Sequence, residues 1–242
     1  MMATNRRVQR LIFARHGESE TNHLNQFSTL PPGAPLSAAG HLQSIELSKQ
    51  LNGCGIERIF ASPLQRAADT AHVIGQALDL PVEYHDDLAE IRVPPLEGEP
   101  SSIAMPIMDR VWDQWTRQGQ LTATPAPQSE RGLDVLARLR SCLDHIYAGE
   151  FAGPVLVVGH GGMLQLTVPV LSVNLPDDHG QLNWMRNCQT VETTWDGAAL
   201  TCVRWGEEPP GAEARSAAPL TPAHTVHGTD DRSASFRPGT GE

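Results

Sequence analysis

Residues 154–158 are apolar at every position, and the run stops at Gly159-His160-Gly161-Gly162. A strand with no polar alternate offers no face to water, so it must be covered on both sides. A parallel sheet held between two layers of helices does this. A second strand-like stretch, 8–14, stops in a similar way at Arg15-His16-Gly17-Glu18. Around these two runs, strand and helix signals alternate. Ser37 is expected to cap a helix with Leu42, Ile45 and Leu51 on its buried side, stopped near Gly53. Residues 56–61 read as a strand. Ser62-Pro63 reads as the next helix start, with Ser as N-cap and Pro at the first helical position. Behind it Leu64, Ala67, Ala68, Ala71, Ile74 and Leu78 share one face. A short strand at 81–84, a helix at 103–118 and a Pro-containing loop at 122–128 follow. Ser129 then opens a helix with Leu133, Leu136, Leu139, Leu143 and Ile146 facing inward. A helix at 161–171 and strands at 190–195 and 199–205 complete the alternation. The fold class expected is α/β: a three-layer α/β/α sandwich with a mostly parallel central sheet.

In open α/β sheets, ligands bind beyond the carboxyl ends of the strands. His16 and His160 stand at two such ends and can face one site. The glycines beside them let a ligand approach the backbone. Gly161 would begin a helix, so its N–H could meet an anion with the helix dipole behind it. At a third strand end, Ser62-Pro63-Leu64-Gln65-Arg66 puts Arg66 in a first helical turn. Two histidines, Arg15, Arg66 and a helix N-terminus make a cationic pocket suited to a phosphate group.

That pocket would be an exception within the chain. Eighteen Lys and Arg stand against twenty-eight Asp and Glu, a formal charge of −10. This excludes the basic surface of a nucleic-acid binder and argues against an anionic membrane surface. No window approaches the ~20 apolar residues of a membrane span. Arg6, Arg7 and Arg10 precede an apolar stretch of only 11–14, too short for a signal peptide. Cys54, Cys142, Cys188 and Cys202 are far apart, so free thiols in a reducing, cytoplasmic compartment are expected. His23, His41, His72, His85, His145 and His179 show no metal-ligand spacing. Residues 207–242 hold five Pro and four Gly, and only Leu220, Val226 and Phe236 as large apolar groups. Such a segment reads as a mobile tail carrying His224 and His227. The catalytic domain expected is 1–206.

Taken together, the motifs resemble the histidine phosphatase superfamily, the phosphoglycerate mutase-like family. The resemblance rests on Arg15-His16-Gly17-Glu18-Ser19 with Asn22, on Leu36-Ser37-Ala38-Ala39-Gly40, on Ser62-Pro63 with Arg66, and on Gly159-His160-Gly161-Gly162. It covers residues 8–205. It implies His16 as a nucleophile that becomes a phosphohistidine, with Arg15, Arg66 and His160 holding phosphoryl oxygens. Asn22 and the Gly161 N–H would add hydrogen bonds, and Phe27 and Ser28 would line the substrate entrance. No metal or cofactor is implied. Glu90 is the expected general acid, with Asp86, Asp87 and Glu97 as alternatives. Val93-Pro94-Pro95 departs from the family pattern beside it.

The reaction expected is hydrolysis of a phosphate monoester. The substrate would be a small phosphorylated metabolite, and a homodimer stays open. A phosphoglycerate mutase is the first alternative. Against it, only Arg92, Arg110 and Arg117 are basic between Glu90 and Ser129. A catalytically inactive phospho-ligand binding module is the second, and a phosphoprotein phosphatase a third. Met105, Met108, Trp112 and Trp115 read either as core or as a roof over the site. Arg92 and Arg186 read either as solvated cations or as partners for a second anionic group.

Overall fold

The computed structural model describes residues 7–207. The expected tail, with His224 and His227, lies outside the described residues apart from Glu207. The chain forms β1 (Gln9–Arg15), α1 (Glu20–His23), α2 (Ala38–Leu51), β2 (Arg58–Ala61), α3 (Gln65–Leu78) and β3 (Val82–Tyr84). Two 3-10 turns, Asp86–Leu88 and Pro94–Leu96, lead to α4 (Ser101–Thr116) and α5 (Gly132–Ala148). Then come β4 (Val155–Gly159), α6 (Gly161–Leu171), α7 (His179–Leu182), β5 (Thr190–Trp195) and β6 (Leu200–Trp205). The sheet order is β3-β2-β4-β1-β5-β6. The first four are mutually parallel; β5 runs antiparallel to β1, and β6 antiparallel to β5.

The pleat of the central strands makes the sandwich. Leu11, Phe13, Val155 and Val157 enter one core with Trp112 of α4 and Leu139 of α5. Ile12, Ala14, Leu156 and Val158 enter the other core, against α2 and α3. β4 is buried at every residue, as its all-apolar sequence requires. Arg15 pairs with Gly159, and the His16 N–H continues the ladder to the Gly159 carbonyl at 3.0 Å. Both histidine motifs therefore leave the sheet at one level, side by side. Among the described residues no helix is long and apolar enough to cross a membrane.

Three local expectations need correction. In α2, Leu42 and Ile45 are 68% and 43% exposed. The buried stripe is Gly40, Ser44, Leu47, Ser48 and Leu51. Small residues take the inner face because the helix start sits directly on the backbone after β1: a Cβ on Gly40 would strike the Glu18 carbonyl, and one on Gly17 would strike Gly40. Ser62 does not cap α3. That helix begins at Gln65 after Leu64, and the Ser62 hydroxyl accepts from the Leu64 N–H at 3.2 Å while serving His160. The fifth helix begins at Gly132 rather than Ser129, because Gly132 lies against the Trp115 indole and marks where the chain turns inward. Leu133 is left half-exposed.

Alanine in a helix interior normally gains up to about 1 kcal/mol over glycine. At Gly40 the backbone clash reverses that sign, and Gly40→Ala is expected to destabilise by about 1–3 kcal/mol. Leu42→Ala, on the solvent side, is expected to stay within about 0.5 kcal/mol. Denaturant titration of the two variants checks both. Equal effects would contradict this account of the α2 interface.

Candidate active site

His16 follows β1 and is buried. Its Nδ1 lies 2.6 Å from the Gly17 carbonyl, which can only accept. The hydrogen is therefore on Nδ1 and the lone pair on Nε2. Arg66, in the first turn of α3, donates from Nε to that Nε2 at 3.0 Å and from Nη2 to the Ser28 carbonyl at 3.2 Å. Gly33, at φ 72°, leaves the room that Arg66 Nη1 occupies. Arg15 donates from Nη1 to the Met185 carbonyl at 2.6 Å. His160 is fully buried, with its ring 5.1 Å from that of His16. Its Nε2 meets the Ser62 hydroxyl at 2.7 Å. Among the described residues Ser62 has no other acceptor, so its hydrogen goes to His160 and the imidazole N–H is on Nδ1. Arg15 Nε, Arg66 Nη1 and His160 Nδ1 are all buried without a partner. Three such donors in one place are rare, because each normally costs about 1–3 kcal/mol or more if left unpaired.

Glu90 reaches the same place from the loop after the first 3-10 turn. One carboxylate oxygen accepts from the Met163 N–H at 2.7 Å and its own neighbour Ile91 at 2.9 Å. The other accepts from Gly162 at 3.1 Å. The carboxylate thus sits on the N-terminus of α6, where amides and dipole favour negative charge. Of the unpaired first-turn amides, only that of Gly161 is left for another anion. The Val93-Pro94-Pro95 departure folds into the second 3-10 turn and leaves Glu90 on the cleft wall.

The cleft encloses about 170 Å³ and is lined at its inner end by Arg15, His16, Asn22, Arg66, Glu90 and Gly161. Phe27 and Ser28 line it as expected, and so do Met105, Met108 and Trp112. Trp115 does not; it belongs to the core, with its indole N–H on the Ala123 carbonyl at 2.9 Å. His160 stands behind His16 rather than on the wall. The other candidate acids lie elsewhere. Asp86 and Asp87 are in the 3-10 turn away from the cleft. Glu97 accepts from Ser28 Oγ, Thr29 N and Leu30 N at 2.8, 2.6 and 3.1 Å, pinning the loop whose Ser28 carbonyl holds Arg66. Arg92 and Arg186 are exposed and do not line the cleft.

Several supporting residues escaped the sequence reading. Asn187 donates to the His16 carbonyl at 3.0 Å and reaches Asn22 at 3.4 Å. Trp184 lines the cleft mouth. Arg138 of α5 pairs with buried Glu130 at 2.8 Å and donates to the carbonyls of Asp87 and Glu90 at 2.6 and 3.2 Å. Glu130 in turn accepts from the Arg92 N–H at 3.0 Å. No motif announces these; an isolated arginine on a helix has no sequence signal for what it grips.

Burial dominates the electrostatics. Desolvation, then the charge of Arg66, holds both histidines well below the ordinary imidazole range. Desolvation also lowers Arg66, to about 10, and Arg15, while Glu90 opposes the shift in both. Both guanidiniums stay charged at neutral pH; Glu90 acts on both and Glu97 more weakly on Arg66, and on the cleft wall two guanidiniums face the one carboxylate of Glu90. Among the described residues no three His, Cys, Asp or Glu groups gather where they could hold a metal ion.

Breaking the buried pair by Arg138→Ala is expected to cost about 3–5 kcal/mol, read by denaturant titration. The histidines make a separate pH prediction. An unfolded histidine binds a proton near pH 6.5, whereas these two stay neutral when folded. The unfolded chain therefore holds more protons as pH falls, and stability falls with it. Their contribution is complete above about pH 7 and drains below about 6.5, by up to about 1.4 kcal/mol per histidine per pH unit. Melting between about pH 7.5 and about pH 5 should show this, with a shallower slope in His16→Gln. An unchanged slope would contradict the buried neutral imidazole.

Residues 11–208 match the model of the Histidine phosphatase superfamily (branch 1). Over 153 residues the chain is 34% identical to the Bifunctional protein Rv2228c of Mycobacterium tuberculosis, covering 62% of this chain and 41% of that one. The chain thus spans about two-fifths of the length of this mycobacterial relative. It is 26% identical over 204 residues to a Probable phosphoglycerate mutase GpmB of Yersinia enterocolitica, covering 83% of this chain and 92% of that one. Among solved structures, the mycobacterial glucosyl-3-phosphoglycerate phosphatase Rv2419c has a TM-score of 0.68 and 25% identity, over 84% of this chain and 100% of that one. The family match runs through both histidine motifs and all of the sheet but the first two residues of β1, and the chain belongs to the histidine phosphatase superfamily.

Proposed function

We propose that the chain is a phosphatase that hydrolyses a small phosphate monoester through a phosphohistidine on His16, with no metal required. The observation that carries this is the His16 ring. It is neutral, its lone pair is fixed on Nε2 by the Gly17 carbonyl, and a buried guanidinium stands at that nitrogen. A neutral imidazole nitrogen is the form that attacks.

In the first step Nε2 attacks phosphorus and the bond to the ester oxygen breaks. Arg15, Arg66 and the Gly161 N–H spread the charge on the phosphoryl oxygens, with Asn22 adding a donor and His160 supporting from behind. Glu90 takes up the proton that the phosphate monoester brings as its monoanion and hands it to the leaving oxygen. In the second step water attacks phosphorus, the P–N bond breaks, and Glu90 takes the proton from the water. Phosphate and an alcohol are the products. The relatives include proteins named for phosphatase and for mutase activity. A mutase must hold a second phosphate, and the three arginines between Glu90 and Ser129 are all exposed and away from the cleft. This favours the phosphatase.

Hydrolysis of a nitrophenyl phosphate is expected to persist in excess chelator and to fall to background in His16→Ala. Turnover abolished by the chelator, or surviving in His16→Ala, would overturn the reading. Glu90→Gln is expected to lose about 10²–10⁴-fold on alkyl phosphates and distinctly less on the nitrophenyl ester, whose leaving group needs little protonation. Equal losses would count against Glu90 as the acid.

A further inference from the structure

We infer that the cleft selects phosphate esters whose alcohol part is small, uncharged and apolar, and that Trp184 is the face on which that group lies. This rests on the phosphatase reading and adds the substrate class. Beyond the phosphoryl end, the wall consists of Phe27, Ile91, Met105, Met108, Trp112 and Trp184, broken only by neutral hydroxyl and amide groups. Apart from Arg15 and Arg66, no cation among the described residues lines it. Its one charged side chain beyond them, Glu90, would repel a second anionic group. The enclosed volume of about 170 Å³ is below the ~300–1,000 Å³ of sites for drug-sized ligands, so the alcohol is a small ring or short chain.

Trp184 stands out within this wall. It is 48% exposed, although an indole is the largest apolar body a chain can bury. Its position is not slack. The carbonyl before it, of Asn183, accepts from the Trp205 indole at 3.0 Å. The carbonyl after it, of buried Met185, accepts from Arg15 at 2.6 Å. The backbone on both sides is therefore tied, once to β6 and once to a phosphoryl-binding arginine. An indole half in water beside the site, on backbone fixed at both sides, offers a stacking surface. Met105 and Met108 face the same cleft and adapt to irregular apolar shapes.

The test compares kcat/KM of the full chain for phenyl, 4-carboxyphenyl and ethyl phosphate. Phenyl phosphate is expected to exceed its carboxylated analogue by about tenfold or more, since the added charge finds no partner. In Trp184→Ala the phenyl-to-ethyl ratio is expected to fall up to about tenfold, the size of a lost aromatic contact, and in Trp184→Phe to be largely kept. Equal rates on phenyl and carboxyphenyl phosphate would overturn the inference. So would a phenyl-to-ethyl ratio that Trp184→Ala leaves unchanged. Titration with phenylphosphonate and 4-carboxyphenylphosphonate gives the same comparison as binding, without turnover. Tighter binding of the uncharged phosphonate, weakened in Trp184→Ala, supports the inference even if no ester is hydrolysed, in which case the phosphatase reading alone fails. Equal affinities overturn it.

Discussion

The pairing of β1 with β4 underlies the rest of the molecule. These strands are distant in sequence, and each is followed at once by a histidine. Their parallel register sets Arg15 opposite Gly159, and the ladder runs one bond further, from His16 to the Gly159 carbonyl. A slip of one residue would turn every side chain to the opposite face of the sheet. Leu11 and Phe13 would exchange cores with Ile12 and Ala14, and the two imidazoles would part. The burial that stabilises the sheet and the alignment that builds the site are one constraint, enforced by alternation on two buried faces.

Around that alignment the site concentrates unsatisfied positive groups. Two guanidiniums are withdrawn from water, and of the carboxylates that act on them, Glu90 and for Arg66 also Glu97, only Glu90 lines the cleft. Among the described residues, buried donors on Arg15 and Arg66, which line the cleft, have no acceptor. A site in this state is stabilised by an anion with several oxygens, which supplies charge and acceptors together. The overall charge of −10 does not weaken this, because acidic groups on the exterior are screened and the arginines are not.

Much of this was legible in the sequence, for physical reasons that differ by element. The all-apolar 154–158 run required double coverage, and β4 has it. The strand ends marked by His-Gly were legible because glycine and a polar residue interrupt an apolar run where a ligand can approach. Glu90 was legible through the family resemblance, and it reaches the cleft. What failed was the reading of faces and of helix starts. Leu42 and Ile45 pointed to the wrong side of α2 because residue type was read as burial, while close packing at Gly40 selects small residues instead. Ser62 looked like a cap, but a hydroxyl at a helix start can serve a distant acceptor, and here it serves His160. Arg138, Glu130, Asn187 and Trp184 carry no local pattern, since their partners are set by tertiary packing alone.

The grip on the loop that carries Glu90 has one more consequence. Arg138 holds the carbonyls of Asp87 and Glu90, and Glu130 holds the N–H of Arg92. Every one of these contacts is to main chain. Such a clamp is indifferent to the side chains it carries: it sets where Glu90 stands without touching its carboxylate. The cleft residues Arg15, Arg66 and Gly161, on β1, α3 and α6, do not share those contacts. The clamp and the pocket therefore meet at one carboxylate: the main chain sets where Glu90 stands, and the first turn of α6 takes the group that stands there.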